Sequence, residues 1–205
     1  MTKKKLKITN EDNMELMARY EDNHFDLAIV DPPYGLGKKT TNGGSLKNTS
    51  ARWNNHTWDN EIPNKEYFIE LQRVSKNQII WGGNYFSLCK YRCVLVWHKD
   101  IYVPTMSEVE IAYTSFDKPS KFCKTTCIDK NRLHPTQKPV KLYEWLLMNY
   151  AKEGDTILDT HLGSGSIAIA CHNLGYNLTA CEIDREYYND AIKRIEQHTS
   201  QKRLF

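Results

Sequence analysis

The chain has 205 residues, a formal net charge of +3 and six cysteines; 40% of its residues are hydrophobic and 26% charged. That is the size of one α/β domain with the balance of a water-soluble globular protein, which excludes collagen-like and largely disordered chains. No run reaches the ~18 uninterrupted apolar residues of a membrane span. The basic start MTKKKLKITN has no apolar region behind it, so it does not resemble a signal peptide, and a cytoplasmic protein with free thiols and no metal is expected.

In chain order, short apolar runs predict strands at 6–8, 25–30, 78–81, 93–97, 109–114, 156–158 and 177–181. Helical periodicity falls at 13–20, 65–74, 140–150, 166–174 and 186–197. The last of these helices aligns Tyr187, Ala191, Ile192 and Ile195 on one stripe, with Asp184 placed as its N-cap. Alternating β and α units predict an α/β fold, with helices on both faces of a mostly parallel sheet. The runs at 93–97 and 109–114, with no helix between them, are expected to pair antiparallel at one edge. The whole chain, 1–205, reads as one domain.

Charge is unevenly spread. The segment at about 35–60 is rich in Gly, Asn, Ser and Thr and carries Lys38, Lys39, Lys47 and Arg52, with Trp53 and Trp58 near its end. A connection this long is usually functional or disordered. It is expected to be mobile and, by its basic and aromatic residues, to meet nucleic acid. Between Lys118 and Lys141 there are seven basic residues, among them Lys121, Lys124 and Arg132, against Asp129 alone. Two basic segments on an otherwise acidic body are the footprint of a polyanion-binding surface.

Ligands of open α/β sheets bind beyond the carboxyl ends of the strands, and two such ends carry unusual residues. The first reads Asp31-Pro32-Pro33-Tyr34. Its prolines are fixed in φ and lack donors, so a stiff turn offers a carboxylate, carbonyl acceptors and an aromatic face. That set complements a planar group bearing an amine. The second reads Asp159-Thr160-His161-Leu162-Gly163-Ser164-Gly165-Ser166 and runs into a helix, while Glu182 ends the next strand. Glycines there admit a ligand at the positive end of the helix, and Glu182 stands where a carboxylate holds ribose hydroxyls. Gly163-x-Gly165-x-x-Ala168 also matches a dinucleotide fingerprint. Taken alone, this half leaves a nicotinamide oxidoreductase and an S-adenosylmethionine enzyme equally open.

Together with Trp81-Gly82-Gly83-Asn84, Trp97-His98-Lys99 and His134-Pro135-Thr136-Gln137-Lys138-Pro139, these motifs resemble the amino-group DNA methyltransferases, in the permuted β class where DPPY precedes the cofactor loop. The resemblance implies a seven-stranded Rossmann-like methyltransferase sheet with 6–8 beside 177–181. It implies S-adenosylmethionine as cofactor and double-stranded DNA with a flipped base as partner. Asp31 and Pro32 would accept from the target amine, with Pro33 completing the turn and Tyr34 stacking on the base. Asp12, Asp31, Lys138, Asp159, His161, Gly163, Ser164, Gly165, Ser166 and Glu182 would surround the cofactor. Adenine is favoured over cytosine, whose branch more often has Ser in place of Asp31. Thr160-His161 departs from the family's Pro-Phe, so altered cofactor affinity is expected. The stretch at about 115–133 leaves little room for target recognition. The recognised sequence is then expected to be short, or recognition to be shared with the 35–60 loop or a second subunit; a homodimer and a partner restriction endonuclease stay open.

Overall fold

A computed structural model describes residues 5–37, 59–88, 92–102, 107–129, 132–134 and 136–201. The basic and aromatic residues at 38–58, including Lys38, Lys39, Lys47 and Arg52, lie outside the described residues.

Eight strands form one sheet: β1 (Leu6–Asn10), β2 (Leu27–Val30), β3 (Gln78–Trp81), β4 (Val94–His98), β5 (Val109–Thr114), β6 (Lys121–Lys124), β7 (Thr156–Asp159) and β8 (Asn177–Glu182). Their order is β1-β8-β7-β2-β3-β5-β4-β6, and only β5 runs against its neighbours. β1 pairs with β8 from Leu6↔Leu178 to Asn10↔Glu182, as the resemblance implies.

Two expectations are corrected here. The sheet has eight strands instead of seven, and the antiparallel β4–β5 pair is not the edge, because β6 pairs parallel with β4. The eighth strand lies inside the stretch expected to serve target recognition. Its sequence, KFCK, buries Cys123 alone and exposes Phe122, so it has no apolar run to mark it.

The helices are α1 (Asn13–Met17), α2 (Lys65–Val74), α3 (Val140–Tyr150), α4 (Ser166–Leu174) and α5 (Arg185–Ser200). α1 is shorter than its periodicity suggests, closing in a tight turn where Arg19 N–H reaches the Leu16 carbonyl and Tyr20 N–H that of Met17. α1 and α2 cover one face of the sheet, around Leu16, Tyr67 and Leu71; α3, α4 and α5 cover the other, around Leu142, Leu146, Ile167 and Ala191. Along β2, Leu27 and Ile29 enter the second core while Ala28 and Val30 enter the first. This is the two-sided burial of a parallel sheet. The five described cysteines are free and buried. Among the described residues, no helix is long and apolar enough to cross a membrane.

Asp184 caps α5 by accepting from Glu186 N–H and Tyr187 N–H at 2.8 and 3.0 Å. Replacing an N-cap carboxylate by alanine costs about 1 kcal/mol. Asp184→Ala should lower the urea midpoint accordingly, with an unchanged denaturant slope.

Candidate active site

At the end of β2, Pro32 and Pro33 have no N–H to continue the ladder, and the chain turns. The turn folds onto the buried Asp59, whose Oδ1 accepts from Tyr34 N–H at 2.7 Å and Gly35 N–H at 3.1 Å. The Tyr34 hydroxyl donates to Asp31 Oδ1 at 2.6 Å. Its ring stacks on Tyr85, with centroids 5.0 Å apart and planes at 15°.

Lys138, 3% exposed, reaches this turn from the segment ahead of α3. Its ammonium lies 2.5 Å from Asp31 Oδ2 and 3.0 Å from Glu110 Oε2, and donates to the Tyr34 hydroxyl at 3.1 Å. An ammonium has three donors, and here each has an acceptor. Glu110, on β5, is held at its other oxygen by Lys99 at 2.8 Å. Burial raises the Glu110 carboxyl, but Lys138 and Lys99 overcome that and hold it at about 2. Burial likewise works against the Lys138 charge, and the Asp31 and Glu110 carboxylates keep it above its usual range. Burial pushes the Asp31 carboxyl up against the pull of Lys138, with Glu110 adding to the rise. Asp31 is therefore the more basic of the two carboxylates.

β7 lies beside β2, pairing Leu27↔Ile157 and Ala28↔Leu158, which sets the glycine loop next to the DPPY turn. Leu162 N–H donates to the Cys181 carbonyl. Both oxygens of Glu182 are fixed by backbone, from Gly163 N–H at 2.8 Å and Asp184 N–H at 3.0 Å. From α5, Arg194 Nη1 donates to the Ser164 carbonyl at 2.8 Å and to Ser166 Oγ at 2.9 Å.

His161 joins a polar chain. Tyr67 hydroxyl meets Thr160 Oγ1 at 2.7 Å, Thr160 Oγ1 meets His161 Nδ1 at 2.9 Å, and His161 Nε2 meets Asn13 Nδ2 at 3.2 Å. Burial pushes the imidazole down to about 3, so it is neutral at pH 7. Beneath it, burial raises the Asp159 carboxyl to about 8, opposed by the His161 N–H it accepts. Between its folded value and the ordinary 6.5, the unfolded chain binds a proton at His161 that the folded chain does not. Folding stability should therefore fall as pH drops through that window. In His161→Phe this contribution disappears, so on going from pH 7 to pH 4.5 the urea midpoint should move toward greater stability relative to the parent's.

The two strand ends open on one cleft of about 510 Å³, lined among others by Asp12, Asp31, Pro33, Lys138, His161, Gly163, Ser164 and Glu182. All of these except Pro33 are among the residues expected at a cofactor. Asp12 lines the cleft while capping α1 through Met14 N–H at 2.7 Å. The Lys138 ammonium, at the cleft wall, is held by Asp31, Glu110 and Tyr34. Gly165 packs on Ala191 and Ile195 of α5, and Ser166 bonds to Ser164 and Arg194. Asp159 is 2% exposed, beneath the loop and outside the cleft lining. Sequence reasoning missed Asp59, Tyr85, Lys99, Glu110 and Arg194. Glu110 carried a signal, being a carboxylate inside the strand VEIAYT of a sheet covered on both faces.

The cleft fits S-adenosylmethionine. Its volume lies in the range of ligand sites, about 300–1,000 Å³, and Glu182 presents a carboxylate fixed for hydroxyl recognition. At Gly163 an added Cβ would meet nothing nearer than the His161 carbonyl at 3.9 Å, which leaves the loop open to a ligand.

Residues 93–193 match the DNA methylase family. The chain is 24% identical to the type II methyltransferase M.HpaI of Haemophilus parainfluenzae over 89% of its own length and 72% of that protein's. Among solved structures, the M1.HpyAVI–SAM complex is similar with a TM-score of 0.62 at 21% identity, over 92% of this chain and 99% of that one. The cytosine-N4-specific PvuII DNA methyltransferase is similar with a TM-score of 0.65 at 11% identity, over 100% and 89%. These likenesses and the order of the motifs lead to one conclusion: residues 93–193 carry a DNA methylase domain, and the chain has the fold of the S-adenosylmethionine-dependent amino-group DNA methyltransferases, which act on N6 of adenine or N4 of cytosine.

Proposed function

We propose that the chain methylates the 6-amino group of adenine in double-stranded DNA, as a cytoplasmic enzyme. The observation that carries this reading is the Asp31 carboxylate, which lines the cleft it shares with Gly163 and Glu182. When bound, S-adenosylmethionine supplies the methyl group as an electrophile on sulfur. Glu182, Gly163, Ser164, His161 and Asp12 hold it.

The exocyclic amine is a poor nucleophile because its lone pair is delocalised into the ring. Asp31 and the Pro32 carbonyl accept its hydrogens and favour a pyramidal nitrogen with the lone pair exposed. The proton that leaves nitrogen passes to Asp31, whose basicity suits it to receive one. Positioning and electrostatics supply the acceleration, and no cysteine serves as a nucleophile. The target base leaves the duplex stack at a few kcal/mol. Tyr34, whose ring already takes a planar partner in Tyr85, offsets part of that through stacking worth about 1–3 kcal/mol.

Lys121 and Lys124 on β6 and Arg132 are assigned to the DNA backbone together with the basic residues of 38–58. Lys121 donates to Asn149 Oδ1, Lys124 pairs with Asp100, and Arg132 donates to the Cys127 carbonyl. The Lys124–Asp100 pair is about half exposed on both sides; such pairs are worth about 0–1 kcal/mol and exchange readily for phosphates.

Transfer of labelled methyl to DNA of varied sequence, followed by nucleoside analysis, tests the reading. N6-methyl-2′-deoxyadenosine is expected; N4-methyl-2′-deoxycytidine would overturn the choice of base, and no transfer to any DNA would overturn the activity.

A further inference from the structure

Glu110 and Lys99 touch the cleft only through other side chains, yet they complete the cluster on which Asp31 depends. Glu110 sits on β5 opposite Trp97 of β4, and Lys99 follows that strand. Glu110 Oε1 lies 2.8 Å from the Lys99 ammonium, and Oε2 lies 3.0 Å from that of Lys138 and 3.5 Å from the Tyr34 hydroxyl. Side-chain exposure is 10% for Lys99, 20% for Glu110 and 2% for Lys138. Two cations and two carboxylates therefore alternate in the order Lys99, Glu110, Lys138, Asp31; the last two line the cleft, and of the two carboxylates Asp31 is the one that can reach a substrate amine there. Water screens such a chain little, so removing one charge alters the hold on all that follow.

We infer that Glu110, anchored by Lys99, is a positioning residue for Asp31: it draws off part of the Lys138 ammonium and so leaves Asp31 a strong acceptor for the target amine. This rests on the reading that Asp31 receives the amine. Without Glu110, Lys138 would fall wholly on Asp31, and Lys99 would lose its anion; Asp31 would become a weaker acceptor. Without Lys99, Glu110 would lean on Lys138 alone, and Asp31 would be held more loosely.

Among the described residues, the other groups facing Asp31 are Tyr34 of the same turn, Asp59 onto which the turn folds, Tyr67 of α2, Tyr143 of α3 and Asp159 of β7. The three tyrosines are pushed up by burial and stay protonated. Asp159, pushed up to about 8, is mostly neutral at pH 7. Asp59 spends Oδ1 on the turn's own N–H groups. None of them replaces Glu110 as a partner of Lys138.

The test measures single-turnover methyl transfer against pH, together with S-adenosylhomocysteine binding and thermal unfolding. Glu110→Gln should lower the transfer rate by about tenfold or more and move the acid limb of the profile to lower pH. Lys99→Met should move the same limb to higher pH, and Glu110→Asp, which keeps the charge, should leave it near the parent's position. S-adenosylhomocysteine should bind all three within about twofold of the parent, because neither residue lines the cleft. A merely structural role would lower yield or melting temperature without moving the limb in opposite directions. A folded Glu110→Gln protein with an unmoved limb would overturn the inference. If that variant does not fold, an unmoved limb in Lys99→Met would overturn it as well. Turnover retained in Asp31→Asn would instead overturn the reading of Asp31 itself, so the two failures are distinguishable.

Discussion

Asp31→Ala is expected to abolish methyl transfer while leaving S-adenosylhomocysteine binding nearly intact. Losing one group aimed at the reacting atoms costs a factor of about 10²–10³ in related cases, and in the proposed mechanism Asp31 both accepts from the amine and receives its proton. Protein stability should change little. Lys138 keeps Glu110 and the Tyr34 hydroxyl as acceptors, so the substitution leaves no unpaired buried cation. Asp31→Asn is the sharper variant, since it retains the shape and replaces one acceptor oxygen by a donor that faces the amine's own hydrogens. Cofactor affinity by calorimetry and transfer by labelled methyl, on the same preparation, check the result. Turnover within tenfold of the parent would end the role given to Asp31.

Gly82→Ala should have nearly as large an effect from outside the cleft. Gly82 follows β3 with φ +70, and a Cβ built there would overlap Tyr34 Cε1 and fall 2.5 Å from its Cδ1. A left-handed non-glycine residue costs about 1–2 kcal/mol, and forced overlap in a packed region about 1–3 more. The ring of Tyr34 must give way, and its hydroxyl would leave Asp31 and Lys138. We expect a stability loss of about 2–5 kcal/mol on those two grounds, with transfer reduced at least about a hundredfold even where the protein remains folded. Gly154→Ala provides the control: its φ is +91, but its Cβ would meet nothing within 4 Å. It should show the backbone cost alone and keep full activity. Equal losses in both variants would refute the steric argument.

How far the sequence revealed this arrangement depended on whether a residue's neighbours in the chain are also its neighbours in space. The strand Gln78–Trp81, α2, α3 and α4 follow their predicted limits, because apolar periodicity is local. Asp184 was legible as a cap for the same reason. The DPPY turn and the glycine loop were legible as motifs, and the parallel rule for strand ends set them side by side. Lys99 closes the Trp97-His98-Lys99 motif and Glu110 lies inside a strand, but their grouping with Lys138 arises only when β4 and β5 join the sheet beside β3. Asp59 looked like the tail of a loop until it was seen holding the backbone of Tyr34. The strand Lys121–Lys124 eluded periodicity because an edge strand protected by lysines carries little apolar signal.

The placement of β2 between β7 and β3 has a consequence for biosynthesis. One flank of β2 finds β3 some fifty residues downstream, whereas the other waits for Thr156–Asp159, with Leu27 separated from Ile157 by 130 positions. At about 5–20 residues per second, a ribosome leaves that flank bare for roughly 6–26 s. A central strand of the finished sheet is thus an unprotected edge in the nascent chain, and the DPPY turn it carries cannot meet the glycine loop until the residues beyond Asp159 have been made.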